Sequence, residues 1–317
     1  MSKTDFIDLL KYPFSHRARR RVRDRRKQIK LIMTLVVKNE ENIIEQNIRF
    51  HHAMGVDGFV VTTHNCTDHT VSILNKLKKE GFVIETIKKT TPDHKHKIWV
   101  NEMVYFAKNK MGADWVINAD ADEFYYSQSL DLKKSIINEM SGKTNVLWVD
   151  SLFLFPDDRP DFLNCPYFVV NPFTKFKAEE LKIDVDPLFE DFIGSQGCTK
   201  VIHKTHGFKS VVDGNHDVYM RNRVKHQSAD IRLYHFHIRN YYGWEEKVKR
   251  WQKSIFLLPE DQGIHMKNMV RLYEAGKLRK EYDKKYGKKM RDFLIENGVV
   301  SRDLSVSDFM RNRGIKC

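Results

Sequence analysis

The alternation of buried-strand and amphipathic-helix patterns from Lys30 onward limits the fold more than any other feature. The run KLIMTLVV is continuously apolar and rich in β-branched residues, which is typical of a strand covered on both faces. A helix is predicted over residues 39–54, with Gly55 as its stop, and the strand GFVVTTH follows. A second helix over residues 71–80 leads to a third strand, FVIETI.

A third repeat of this pattern has a helix over residues 98–110 and a fourth strand in ADWVINAD. Consecutive β-α-β units require right-handed crossovers, so the sequence predicts an α/β fold with a mostly parallel sheet between helices. Ligands of such sheets bind beyond the carboxyl ends of the strands. The polar residues at those ends are therefore the candidate functional residues.

The predicted strand ends are unusually polar. They read KNEE after the first strand, THN followed by Asp68 after the second, and NADADE after the fourth. The first strand has no G-x-G-x-x-G after it, and the chain contains no G-x-x-x-x-G-K-[ST]. The sequence motifs that define dinucleotide-binding and P-loop sites are therefore absent, which excludes both kinds of site.

Asp120 and Asp122 form a D-x-D triplet at the tip of the fourth strand. Two carboxylates two residues apart make an oxygen-rich, negatively charged position that suits Mg²⁺ or Mn²⁺. The competing interpretation is a helix cap, because such triplets also occur without a metal. The position after an apolar strand and three β-α units favours the metal site.

Three motifs in order, VVKNEENI, THNCTDHT and DWVINADADEF, resemble those of the GT-A glycosyltransferases, in the family 2-like and family 92-like branch. The resemblance implies a Rossmann-like, mostly parallel sheet flanked by helices. It also implies a nucleotide-sugar donor, usually UDP-linked, with Mn²⁺ or Mg²⁺ on the D-x-D motif. Transfer to a saccharide hydroxyl is the expected reaction.

The resemblance also assigns roles to individual residues. Asp120 and Asp122 would hold the metal, and the donor would contact Val37, Asn39, Glu40, Asn65, Asp68 and Asp120. Structural roles compete with these assignments, since Asn39 and Asn65 suit turns and Asp68 suits a helix N-cap. Lys95, Lys97 and Asn101, before and on the third helix, are weaker candidates for the donor diphosphate.

The second half of the chain is predicted to hold further strands, among them NVLWVDSLFLF, CPYFVV, CTKVIHK, FKSVV and IRLYHFHI. His235 and His237 have strand spacing, so both are expected on one face of the last strand. By the resemblance, one of them completes the metal shell. Ordinary hydrogen-bonded strand histidines are the alternative.

An inverting transferase needs a carboxylate to accept the proton of the acceptor hydroxyl. Asp191, in LFEDFIG, resembles the acceptor-loop aspartate of the family and is the predicted base. Four other acids compete for this role: Glu179, Glu180, Asp213 and Asp217. A retaining mechanism would need no such base, and the sequence leaves it open.

Residues 16–30 contain nine basic side chains and one acid, a large share of the formal charge of +13. A solvated arm and a nucleic-acid arm are two interpretations, but we favour attraction to anionic lipid because an apolar cluster precedes the basic run. Nothing later in the chain supports nucleic-acid binding. Without a secretory signal, a membrane-spanning run or a C-x-x-C pair, a cytoplasmic protein is expected, peripheral at the inner face of the membrane.

These observations predict three consecutive segments. Residues 1–30 form a basic, partly helical arm, residues 31–240 a GT-A domain with nucleotide (31–124) and acceptor (125–240) halves, and residues 241–317 a helical extension. The predicted protein is a metal-dependent, inverting glycosyltransferase that acts on a saccharide or glycolipid acceptor in surface polysaccharide or lipid-linked glycan synthesis. The alternatives are a metal-dependent nucleotidyltransferase or sugar-phosphate hydrolase, and a non-enzymatic protein that binds membrane or nucleic acid.

Overall fold

The computed structural model describes residues 29–91, 95–140, 142–171, 199–252, 255–257, 260 and 264–317. Two compact units divide the chain. Unit 1 comprises residues 1–150 and 199–233, and unit 2 comprises residues 151–198 and 234–317. Each unit therefore combines two separate stretches of sequence, whereas the predicted segments are consecutive, and the predicted boundaries stay a prediction.

The elements of the first stretch are β1 (Leu31–Val37), α1 (Ile44–Ala53), β2 (Gly58–His64), α2 (Thr70–Lys79), β3 (Ile84–Lys89), α3 (His96–Asn109), β4 (Trp115–Ala119), β5 (Glu123–Ser127), α4 (Leu132–Glu139), β6 (Val146–Leu154) and β7 (Tyr167–Val169). After residue 198 follow β8 (Thr199–Lys204), β9 (Phe208–Val211), β10 (Val218–Met220), β11 (Lys225–His235), α5 (Tyr241–Gln252), α6 (Ile264–Glu274), α7 (Leu278–Tyr286), α8 (Lys288–Glu296), β12 (Val300–Arg302) and α9 (Ser305–Asn312).

The sheet of unit 1 has the strand order β6-β8-β4-β1-β2-β3. β1 pairs in parallel with both β2 and β4, and β2 pairs in parallel with β3. β8 lies antiparallel to β4 and β6 on its two sides. The predicted α/β class and the mostly parallel sheet are confirmed.

The central strands are apolar because both faces of the sheet are covered. Ile32, Val60 and Val116 are fully buried and belong to one core cluster with the inner face of α3. That face consists of Val100, Met103, Val104 and Ala107. The periodicity that predicted α3 therefore corresponds to its contact with the sheet.

Three polar side chains form a hydrogen-bonded chain inside this sheet. Thr34 donates its hydroxyl to Asn118 Oδ1 at 2.7 Å, and the Asn118 amide donates to His203 Nε2 at 2.9 Å. His203 Nδ1 lies 3.0 Å from the carbonyl oxygen of Lys204, so Nδ1 carries the proton. Burial lowers the pKa of His203 to about 4. The imidazole is therefore neutral in the native protein at pH 7.

Helix α1 begins at Ile44, five residues after its predicted start. Asn39 adopts left-handed backbone geometry, with a φ of 57°, which a right-handed helix does not accommodate. The first helical turn instead forms where the carbonyl of Glu40 accepts hydrogen bonds from the N–H groups of Ile43 and Ile44. The third strand is displaced likewise, since β3 covers Ile84–Lys89 and the predicted strand covered residues 82–87.

Unit 2 has its own hydrophobic core. The last residues of β6 pair with β7, and β7 pairs antiparallel with β12, a strand that the sequence did not predict. Trp244, Val248 and Ile255 are buried against Tyr282 and the other residues of this core. Trp251, on the same helix as Trp244 and Val248, is 39% exposed and lies outside this core.

No helix in the described parts of the chain combines the length and apolar character needed to cross a bilayer.

Acidification is expected to destabilise unit 1 through His203. Unfolded histidine gains a proton near its ordinary pKa of about 6.5, whereas buried His203 stays neutral down to about pH 4. The contribution of His203 to the free energy of unfolding is complete above the pKa of histidine in the unfolded chain. It falls as the pH is lowered, by about 2 kcal/mol between pH 7 and pH 5.

The test is urea unfolding of the wild type and of His203→Gln at both pH values. The drop in the free energy of unfolding should be about 2 kcal/mol smaller in His203→Gln. His206→Gln, which changes an exposed histidine three residues away, should keep the wild-type drop. Equal drops in all three proteins would contradict the assignment.

Candidate functional site

The loops that follow β1 and β2 are bound to each other by side chains. The amide oxygen of Asn39 accepts the backbone N–H of Thr67 at 2.8 Å, and its amide nitrogen donates to the Thr67 hydroxyl at 3.1 Å. Glu40 donates its N–H to the Thr70 hydroxyl at 2.8 Å. Asn39 and Asn65 both have positive φ, which asparagine tolerates better than most residues. The residues predicted to bind the donor therefore also build the loops.

Asp68 has a structural role of this kind. Its carboxylate accepts the N–H of Thr70 at 3.0 Å and that of Glu41 at 3.0 Å, one bond at the start of α2 and one to the loop after β1. Desolvation alone would raise the pKa of the Asp68 carboxyl, but the hydrogen bonds from Thr70 and Glu41 lower it below its ordinary value. The N-cap residue itself is His69, so Asp68 lies one residue before the cap position and binds the first N–H of the helix. Donor contact stays a prediction.

Val37 and Asn65 differ in their accessibility to a ligand. The Val37 side chain is buried in the core, so a donor contact there would come from its backbone. Asn65 is exposed, and its amide donates to the carbonyl of Thr91 at 3.1 Å.

Asp120 and Asp122 lie in the short turn between β4 and β5. Within it, the N–H of Glu123 donates to the carbonyl of Asp120 at 3.1 Å. Both aspartates are partly exposed, whereas Ala121 and Glu123 are buried on either side of Asp122. This alternation of exposed and buried residues directs the two D-x-D carboxylates away from the core, as metal binding requires. The triplet leads into a strand and does not begin a helix.

Lys200, on β8, is a buried cation beside the D-x-D motif. Its ammonium group lies 2.9 Å from Glu123 Oε1 and 3.5 Å from Asp120 Oδ2, and it donates to the carbonyl of Gly214 at 2.7 Å. Glu123 Oε2 in turn accepts the N–H of Asp120 at 3.1 Å. Glu123 and Lys200 therefore hold Asp120 by both its backbone and its carboxylate.

A histidine also approaches Asp120, from the first residue of α3. His96 Nε2 lies 3.8 Å from Asp120 Oδ1. Desolvation alone would raise the pKa of Asp120, but the charge of Lys200 and the contact with His96 lower it far below its ordinary value. Asp120 is therefore ionised at neutral pH, as a metal ligand must be.

Sequence reasoning missed Lys200, Glu123 and His96 as site residues. One signal was available, since the predicted strand CTKVIHK contains Lys200, but nothing in the sequence showed that this strand lies beside β4. The pairing of Ile117 with Ile202 brings Lys200 to the end of β4 where Asp120 lies.

Among the weaker candidates, Asn101 has a structural role. Its side-chain oxygen accepts the N–H of Val211 at 2.9 Å. Asp217, a competitor for the base, forms ion pairs with Arg223 and Lys225 at 2.7 and 2.6 Å. Lys95 is exposed and Lys97 is half-buried. Asp191, Glu179, Glu180 and the side chain of Asp213 lie outside the described residues.

The two predicted metal-binding histidines lie in unit 2. His235 is the last residue of β11 and His237 follows the strand, so the prediction that both belong to the strand is wrong for His237. Their ring centroids are nevertheless 5.2 Å apart. His235 also packs against Phe153, and His237 Nδ1 lies 3.4 Å from the ammonium group of Lys247. Both rings are partly exposed.

The buried ion pair predicts a strong dependence of stability on Lys200. Lys200→Met leaves the Glu123 carboxylate buried without its cation, which should lower the free energy of unfolding by about 3–5 kcal/mol. The double variant Lys200→Met/Glu123→Gln should be more stable than Lys200→Met, because it also removes the stranded charge.

Urea unfolding measures both effects. Lys209→Met, at an exposed position on β9, is the matched control and should change stability by no more than about 0.5 kcal/mol. A loss in Lys200→Met as small as that of the control would show that the ion pair does not stabilise the fold.

Comparison with known proteins adds an independent finding. The model of glycosyltransferase family 92 matches residues 33–275 of this chain. No curated protein sequence matches it significantly.

Three solved structures are among those to which this chain is similar. TarS 1–349 of S. aureus, in complex with UDP, is 13% identical with a TM-score of 0.41, over 75% of this chain and 68% of that one. Mannosyltransferase PcManGT of Pyrobaculum calidifontis, in complex with GDP-Man and Mn²⁺, is 14% identical with a TM-score of 0.41. The match covers 98% of this chain and 81% of that one. Glucosyl-3-phosphoglycerate synthase of Mycobacterium tuberculosis is 12% identical with a TM-score of 0.31. The match covers 57% of this chain and 58% of that one.

Proposed function

The chain belongs to glycosyltransferase family 92, and from this premise we propose that it transfers a sugar from a UDP-linked nucleotide-sugar donor to a hydroxyl of a saccharide or glycolipid acceptor. Membership confirms the resemblance drawn from the three motifs and makes the chain a glycosyltransferase of the GT-A type. The donor, the acceptor and the residue roles below are parts of the proposal.

The observation that carries the proposal is the common position of the candidate residues in unit 1. β1 is paired in parallel with β2 and β4, so the loops after these three strands share one edge of the sheet. Those loops contain Asn39 and Glu40, Asn65 and Asp68, and the D-x-D motif. A nucleotide-sugar needs such an arrangement, because its base, ribose and diphosphate extend across several neighbouring strand ends.

The D-x-D turn fits a divalent cation. Hard dications prefer carboxylate oxygens, and Asp120 and Asp122 are both partly exposed, with Asp120 held ionised by Lys200 and His96. We assign these two aspartates as ligands of Mn²⁺ or Mg²⁺, and the third ligand, one of His235 and His237, stays a prediction from the family resemblance alone. When bound, the cation would supply positive charge to the departing diphosphate.

The chain's own residues have separate tasks in this proposal. The loops after β1 and β2 bind the nucleotide, and Lys200 and Glu123 keep Asp120 oriented. Asp191 accepts the proton of the acceptor hydroxyl as the sugar carbon is attacked from the opposite side of the departing nucleotide, which gives inversion.

The cellular setting is also proposed from the sequence. The basic residues 16–30 attract an anionic membrane surface, which would bring the enzyme to a glycolipid or growing polysaccharide at the inner face of the membrane. Sedimentation of the full chain with vesicles of neutral lipid and with vesicles containing anionic lipid tests this, and equal binding to both would refute it.

The first prediction of the proposal is a manganese-dependent stabilisation by one nucleotide. Thermal unfolding is measured with UDP, GDP, CMP and their sugars, with and without Mn²⁺. A ligand at about 100 times its Kd that binds only the native state adds about 2.7 kcal/mol. Asp122→Asn should lose this shift, because the amide lacks the charge of the carboxylate ligand.

Asp131→Asn is the matched control, because Asp131 caps α4 and asparagine caps helices equally well. It should keep the shift. No shift with any nucleotide in the wild type would refute the donor site, and a normal shift in Asp122→Asn would refute only the assignment of that ligand.

A second prediction concerns the base. Asp191→Ala should retain manganese-dependent donor binding and lose transfer by at least about 100-fold, the lower end of what general-base catalysis contributes. Donor binding is measured by thermal shift and transfer by product formation with a saccharide acceptor. Full transfer activity in this variant would assign the base to another residue.

A further inference from the structure

Asn47, in the first turns of α1, contacts the D-x-D turn directly. Its side-chain nitrogen donates to the carbonyl of Ala121 at 2.9 Å and to that of Glu123 at 2.9 Å. These two carbonyls belong to the residues on either side of Asp122. One amide group therefore binds the backbone on both sides of the D-x-D residue proposed as the principal metal ligand.

His51, one helical turn further along α1, sets the orientation of this amide. The backbone N–H of Tyr125 donates to His51 Nε2 at 3.0 Å, so Nε2 is the acceptor and Nδ1 carries the proton. Nδ1 lies 3.1 Å from Asn47 Oδ1 and 2.9 Å from the Asn47 carbonyl oxygen. The amide oxygen of Asn47 therefore faces His51, and its nitrogen faces the turn.

Burial makes this arrangement specific. Asn47, His51, Glu123 and Tyr125 are all fully buried. The imidazole also stacks against Phe124, with ring centroids 5.8 Å apart. Burial keeps bulk solvent away from these hydrogen bonds, so solvent does not readily replace a donor lost from Asn47. This position needs a side chain with two N–H donors on one atom, for the two carbonyls, and an acceptor beside it, for His51. Asparagine has these groups on a side chain short enough to reach them from α1.

We propose that Asn47 is a positioning residue for the metal site, with His51 as the group that orients it. This inference rests on the proposed function. By holding the carbonyl groups of the two residues that flank Asp122, Asn47 presents the Asp122 carboxylate in one orientation before the metal arrives. Metal affinity then depends on a residue that touches neither the metal nor the donor.

A positioning role and a purely structural role of Asn47 predict different effects of its substitution. A structural residue affects only how much protein is folded. A positioning residue affects the affinity of folded protein for the metal, because part of the binding free energy must then be used to order the turn. Loss of groups that orient metal ligands typically lowers metal affinity about 10- to 100-fold.

The experiment measures Mn²⁺ binding to the full chain by calorimetry in the presence of UDP and, separately, of GDP, at a temperature where each variant is folded. Asn47→Leu keeps the approximate size of the side chain, favours the helix at least as well, and removes the donors and the acceptor. It should raise the Kd for Mn²⁺ at least about 10-fold. In turnover, the concentration of Mn²⁺ needed for half-maximal rate should rise while kcat at saturating Mn²⁺ changes little.

His51→Gln is the second variant, because the glutamine carbonyl can still accept the N–H of Tyr125. It should weaken Mn²⁺ binding less than Asn47→Leu does. If Asn47→Leu does not fold, His51→Gln is compared with the wild type instead, and an unchanged Kd for Mn²⁺ in folded His51→Gln would contradict the inference. Thr205→Val is the matched control. It removes another buried hydrogen bond from a side chain to a carbonyl, at 2.7 Å to Ala113 beyond the other end of β4, and should leave Mn²⁺ affinity unchanged.

The outcomes separate this inference from the proposed function. If the wild type binds Mn²⁺ and folded Asn47→Leu binds it equally well, Asn47 is only structural and the inference is wrong. An equal loss in Thr205→Val would also overturn it, since the effect would then be general. If the wild type binds no Mn²⁺ with either nucleotide, the proposed function fails and the inference fails with it.

Discussion

The parallel pairing of β1 with β2 on one side and with β4 on the other is the constraint on which the site in unit 1 depends. Parallel strands all end at the same edge of a sheet, so residues far apart in sequence become neighbours there. Val37 is paired with Thr63, and Leu35 with Ala119, which places the three following loops side by side. A different strand order would have separated the D-x-D motif from the loops predicted to bind the donor.

Polar residues concentrated at this edge must find partners, and most of those described bind backbone groups. Asn39 binds Thr67, Asp68 binds the N–H groups of Glu41 and Thr70, and Asn47 binds two carbonyls of the D-x-D turn. Such bonds leave the loops little freedom to reorganise. The fold therefore provides a preorganised edge, and the entropy cost of ordering these loops is met on folding and not on ligand binding.

The charges in the D-x-D turn follow the same logic. Asp120, Asp122 and Glu123 are three carboxylates within four residues, and Lys200 is the buried cation that faces two of them. A buried carboxylate without a partner would be too costly, so Glu123 needs Lys200 for stability. One lysine does not neutralise three carboxylates, which leaves an excess of negative charge suited to a divalent cation.

The sequence alone determined the α/β class, the order of the first four strands and three helices, and the position of the D-x-D motif, because periodicity and turn residues are local properties that one chain segment carries by itself. Only the tertiary structure decided that Lys200 lies beside Asp120, that Asn47 and His51 hold the D-x-D turn, that α1 starts at Ile44 and that β11 ends at His235. Each of these depends on a contact between distant segments: Lys200 is 80 residues from Asp120, and Asn47 is 74 residues from Ala121. A buried lysine, asparagine or histidine looks in sequence like any surface residue of its type, and its partner and burial are set by strand pairing and packing.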